Sequence, residues 1–118
     1  VEKTIPIDGR QIRFKSTGAT PLRYQAQFGR SFFRDLMNVV EGGFKKDDKG
    51  EIVVDVADVT KINIEMFYNV AWIFAKTADK DIPPPLEWLD TFDEFPLIEI
   101  LPELQDMITR SLQSSKKK

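Results

Sequence analysis

The sequence predicts a mainly α protein, an N-terminal β-hairpin packed on a small bundle of about four helical segments. Three observations predict it. Apolar and polar residues alternate on both sides of Asp8-Gly9. Apolar residues then recur at helical spacing through most of the chain. Glycine and proline punctuate the chain where one helical pattern stops and the next begins.

The hairpin comes first. Ile5 and Ile7 alternate with polar residues, and Asp8-Gly9 supplies a two-residue turn of the I′ type. That register pairs Ile5 with Ile12 and Ile7 with Arg10, so Ile5, Ile7, Ile12 and Phe14 share one face. A lone hairpin is marginal in water, so helices are expected to cover that face. Ser16-Thr17-Gly18-Ala19 is a loop. Thr20-Pro21 reads as an N-cap followed by proline at the first helical position. A helix is expected from about Pro21 to Val40. Leu22, Ala26, Gly29, Phe33, Leu36 and Val40 form its apolar stripe, and Arg23, Gln27, Arg30 and Arg34 its polar one. Gly29 within the apolar stripe suggests close approach of another backbone.

Gly42-Gly43 ends that helix, and Lys45 to Gly50 reads as a charged turn. Glu51 to Val56 is β-branched and short, either a strand or an extended connector. Asp58 or Thr60 is the expected cap of the next helix, which runs to about Thr77. Its middle, Met66 to Ala75, is apolar nearly all round, the pattern of a helix buried on most sides. Ile82-Pro83-Pro84-Pro85 is a rigid link, and Pro85 opens a short helix through Trp88 and Leu89 to Phe92. Glu94 to Gln113 is a last helical region with Leu97, Ile100, Leu101, Leu104, Ile108 and Leu112 on its apolar face. Pro96 and Pro102 predict a break or kink near Leu101. The expected organisation is a single domain over residues 1–113 with a flexible lysine-rich tail over 114–118.

Composition narrows the function. The 118 residues are 42% hydrophobic and 31% charged, ordinary for a globular domain. There is no cysteine and no histidine, which removes thiolate nucleophiles, Zn-thiolate sites and the imidazole base, and makes a reducing cytoplasm the default. The opening residues carry no secretory pattern, and Val70 to Ala75 is too short an apolar run to span a bilayer. The net charge of −2 is unevenly spread. Residues 1–50 hold ten Lys/Arg against six Asp/Glu, whereas residues 79–106 hold one against nine. Phosphates would be repelled from that acidic stretch, so no nucleic-acid partner is expected there.

Ordinary catalytic patterns are missing. Asp79/Asp81 and Asp93-Glu94 are sequence neighbours on polar segments, read as solvated charge rather than as carboxyls facing across a cleft. A calcium-loop reading around Gly50 fails, because lysines take the ligand positions and Val56 takes that of the closing glutamate. No phosphate loop or dinucleotide fingerprint occurs. Ser31 and Ser111 have no histidine to activate them. Neither catalytic residues, cofactors nor metals are expected, and the chain reads as a non-enzyme. Arg23, Arg30 and Arg34 read first as a solvated face and second as a protein contact. Phe67, Trp72, Trp88, Phe92 and Phe95 are the candidate interaction residues, with core packing as the competing reading.

Three spaced segments resemble a known family. Thr20-Pro21-Leu22-Arg23-Tyr24 with Phe28-Gly29-Arg30 and Asp35-Leu36 is similar to the first helix of tail assembly chaperones from phages of Gram-positive bacteria. Phe67 to Trp72 with Ala75 to Asp79 resembles their second main helix. Ile82-Pro83-Pro84 with Glu87 to Asp90 and Phe92 resembles the turn that follows. The resemblance implies a chaperone that binds and solubilises the long helical tape measure protein. It also implies recruitment of the major tail tube protein, through a longer frameshifted product, and possible self-association. The expected setting is the bacterial host cytoplasm during phage assembly, with no membrane contact and absence from the mature virion. The competing readings are a head–tail connector subunit, a small DNA-binding regulator and an enzyme of unfamiliar type.

Overall fold

A computed structural model describes residues 2–39, 45–46, 48–50, 52–53 and 62–116. Strands β1 (Glu2–Ile7) and β2 (Arg10–Lys15) form the antiparallel hairpin, with Ile5 opposite Ile12 and Ile7 opposite Arg10, as the alternation predicts. Asp8 and Gly9 have φ of 55° and 76°, the two positive values that a type I′ turn requires. Ile5, Ile7 and Phe14 are buried and Ile12 is partly so, while Glu2, Thr4, Pro6 and Arg13 face solvent.

The expected single helix over 21–40 is two helices. α1 spans Thr20–Phe28 and α2 spans Phe32–Met37. Gly29 divides them at φ 68°, its N–H donating to the Gln25 carbonyl at 2.8 Å. This is a left-handed C-cap. A Cβ at Gly29 would meet nothing within 4 Å, so the residue serves backbone conformation and not the close approach predicted for it. Ser31 then caps α2, its Oγ accepting from Arg34 N at 3.2 Å. Thr20, expected as the N-cap, is the first residue of α1, and Ala19 occupies the cap without a side-chain bond.

The buried stripe differs as well. Thr20, Tyr24 and partly Phe28 face inward from α1, followed by Phe32, Asp35 and Leu36 from α2, whereas Leu22 and Ala26 face out. Both stripes have helical spacing. Tyr24 and Phe28 bury far more apolar area than Leu22 and Ala26 can, and that decides the rotation of α1.

β3 (Lys45–Lys46) and β4 (Ile52–Val53) form a second, minimal antiparallel pair around the Asp48–Gly50 turn, so part of the predicted charged turn is strand, and Glu51–Val56 contributes a strand at Ile52–Val53. Asp58 and Thr60 lie outside the described residues. The cap of α3 (Ile64–Ala78) is Asn63, whose Oδ1 accepts from Met66 N at 3.2 Å. α4 spans Pro85–Asp90 and α5 spans Leu97–Lys116. α5 runs through Pro102 without the expected break and past the predicted limit at Gln113. Pro102 lies near the start of the helix, and the carbonyl it leaves without a donor is that of Ile98, an exposed residue that water can reach.

α3 is the central element. Phe67, Val70 to Ala75 are buried, and the helix lies against β2, α1, α2 and α4. α5 covers β1 and α2 with Ile100, Leu101, Leu104, Met107 and Ile108. Lys3 and Glu103 pair at 2.9 Å where β1 meets α5, both about half exposed, a contact of at most about 1 kcal/mol.

Candidate functional site

The five aromatic candidates divide into two places. Phe67, Trp88, Phe92 and Phe95 gather, with Tyr68, into one edge-to-face cluster. Trp88 lies 5.1 Å from Phe92 and 5.6 Å from Phe95, and Phe95 lies 5.7 Å from Tyr68, centroid to centroid. Such packing adds about 0.5–1.5 kcal/mol per pair beyond the area buried. Phe67, Trp88 and Phe92 are buried and Phe95 is partly buried. The hairpin tip closes the cluster. The Arg10 guanidinium stands 4.3 Å over the Phe92 ring and donates to Thr91 Oγ1 at 3.0 Å, while Asp93 N donates to Asp8 Oδ2 at 3.0 Å. These four residues therefore pack against one another within the domain, with Phe67, Trp88 and Phe92 buried and Phe95 keeping part of its ring exposed.

Trp72 is elsewhere, with its ring 5.7 Å from Phe28. Its Nε1 donates to the Pro83 carbonyl at 2.9 Å, which ties the triproline link to α3. Lys76 Nζ reinforces the tie by donating to the carbonyls of Lys80 at 2.6 Å and Ile82 at 3.1 Å. Trp72 is also largely buried, but it lines a groove of about 250 Å³ between α1 and α3. Arg23, Ala26 and Gln27 form one wall, and Trp72, Ile73 and Lys76 the other. Leu22, one turn before Ala26, stands beside this region 72% exposed.

Sequence reasoning missed Asp35. It is fully buried and accepts from Tyr24 OH at 2.6 Å and from both Nε and Nη2 of Arg30, at 2.7 and 3.0 Å. Burial pushes its carboxyl up, but the hydrogen bonds from Arg30 and Tyr24 outweigh it and hold the group below its usual range. Burial, then the bond to Asp35, pushes the Tyr24 phenol up. A carboxylate so fully engaged is not a free base. It joins α1 to α2 across the Gly29 break, and Arg30, read as part of a basic stripe, is spent on it. Arg30 and Asp35 are five apart, with Arg30 in the α1–α2 break and Asp35 in α2, a spacing that no helical pattern would have marked.

A second recess of about 370 Å³ lies where Thr17, Gly18, Phe33, Arg110 and Ser111 meet. Its polar groups have partners: Ser16 and Ser111 hydroxyls are 3.3 Å apart, and Arg110 pairs with Asp106 at 3.3 Å. Ser31 is a helix cap. Asp79, Asp81, Asp93 and Glu94 are all exposed, in line with their reading as solvated charge. Among the described residues no three carboxylates stand where they could hold a metal ion, and every buried side-chain nitrogen or oxygen has a partner. No helix among them is long and apolar enough to cross a membrane. Comparison with protein-family models, curated proteins and solved structures finds no match to this chain.

Proposed function

We propose that the chain is a helix-binding chaperone that works through the α1–α3 groove, and specifically that it acts as a phage tail assembly chaperone on the tape measure protein. The observation that carries the binding role is the exposed Leu22 beside a groove floored by Trp72 and Ile73. Single exposed apolar residues are ordinary, and Leu86, Met37 and Ile64 are such cases. An exposed leucine beside a lined groove offers an anchor and a slot together, the arrangement used in helix-in-groove recognition. The tail assembly role rests on the resemblance of the three segments, as does the recruitment of tail tube subunits by a longer product.

Co-expression with a phage tape measure protein tests the proposal. The client is expected to stay soluble only when the chain is present, and the chain to be missing from purified virions. An insoluble client with and without the chain would reject the chaperone role. Recovery of the chain from mature virions would favour a structural subunit instead.

A further inference from the structure

The groove has a polarity that the chain as a whole lacks. The sequence has slightly more acids than bases, 19 against 17, yet among the described residues no Asp or Glu lines this groove. Between Thr20 and Arg34 there is no acidic residue at all. The two charged groups on its walls are Arg23 and Lys76, one on each side. Neither has a carboxylate partner among the described residues. Lys76 is held against the carbonyls of Lys80 and Ile82, so its charge stays at the groove edge without being neutralised.

The groove is also shaped by helices on both sides. On α1, Ala26 and Gln27 lie three and four residues after Arg23, and on α3, Lys76 lies four after Trp72 and three after Ile73. Ridges at that spacing accept the ridges of another helix. Ala26 keeps the α1 wall low, and Leu22 extends the apolar track by one turn. The volume of about 250 Å³ fits one or two apolar side chains and falls below the range of about 300–1,000 Å³ typical of small-molecule sites.

We infer that the α1–α3 groove docks an amphipathic helix whose polar face is acidic, with apolar side chains seated against Leu22 and Ala26 and carboxylates flanking them at Arg23 and Lys76. This rests on the reading of the chain as a binder of a helical client and names the character of the client segment it takes. Positive charge on both walls speeds capture of the acidic helix, while the apolar track holds it.

The test uses the full chain and a fluorescein-labelled peptide of Leu, Ala and Glu in an amphipathic helical pattern, with a counterpart carrying Lys in place of every Glu. Anisotropy is expected to give at least about ten-fold tighter binding of the acidic peptide, weakening as salt is raised to about 300 mM. Leu22→Ser and Arg23→Glu, both at exposed positions, are expected to weaken it by about ten-fold each with the melting temperature unchanged. Leu86→Ser, equally exposed on α4, is expected to leave it unchanged. Equal binding of the two peptides, no binding of either, or indifference to Leu22→Ser and Arg23→Glu overturns the inference. So does concentration-dependent self-association abolished by Leu22→Ser, which would give the groove to a second copy. The chaperone reading is judged separately, by client solubility in the co-expression experiment. A soluble client with no peptide binding removes the groove's polarity argument alone.

Discussion

α3 has two aromatic neighbourhoods that solvent meets differently. Toward its N-terminus, Phe67 and Tyr68 join Trp88, Phe92 and Phe95 in a cluster closed by Arg10 and Asp8 of the hairpin tip. One turn on, Trp72 meets Phe28 at the floor of a groove that stays open. The first neighbourhood is rich in the residues that dominate protein interfaces, yet it is core. The second holds fewer aromatics and lies beside Leu22, which is 72% exposed. Aromatic content and exposed apolar surface therefore part company here.

The sharpest way to break this contrast is Trp88→Ala. If the cluster is core, denaturant unfolding should show a loss of about 3–5 kcal/mol. A loss under about 1 kcal/mol would return Trp88 to the list of contact residues.

Asp35→Asn comes next and tests the charge buried behind the open side. The amide keeps the shape but loses the charge-assisted bonds to Arg30 and Tyr24, so about 2–3 kcal/mol is expected to be lost at neutral pH. The carboxyl's folded pKa lies below its unfolded one. Its contribution is thus present above the unfolded value of about 3.9 and lost as pH falls through the folded value. Stability curves of the two proteins should converge as pH is lowered below about 4, and parallel curves would show that Asp35 is not ionised in the fold.

Gly29→Ala should cost about 1 kcal/mol by thermal melting, from the positive φ alone, since a Cβ there has open space. An unchanged melt would mean that α1 and α2 join into one helix when alanine permits it. The smallest effect is expected of Leu22→Ser, within about 0.5 kcal/mol in stability. That leucine is 72% exposed, so a large loss would show it belongs to the core and not to the groove.

Local chemistry was legible to the extent that it is local. The hairpin register follows from alternation and a turn that only Asp8-Gly9 could make, and the structure has it residue for residue. Pro85 opens α4 as proline at a first helical position should. Helix ends were harder. Gly29 and Ser31 together carry a stop and a start, but a longer apolar stripe that bridged them outweighed both signals. The α3 cap went to Asn63, the cap residue adjacent to the helix, over more distant candidates.

What the sequence by itself determined was the N-terminal hairpin, the helical character of most of the chain and the absence of histidine and cysteine chemistry, because periodicity, turn residues and inventory act over a few residues or none. The tertiary structure decided which of two helical stripes on α1 turned inward, which aromatics were sealed, and where a carboxylate was buried. Those outcomes depend on how much area each face buries against α3 and on partners as far apart in the chain as Tyr24 and Asp35, or Arg10 and Phe92, and no local spacing encodes that competition.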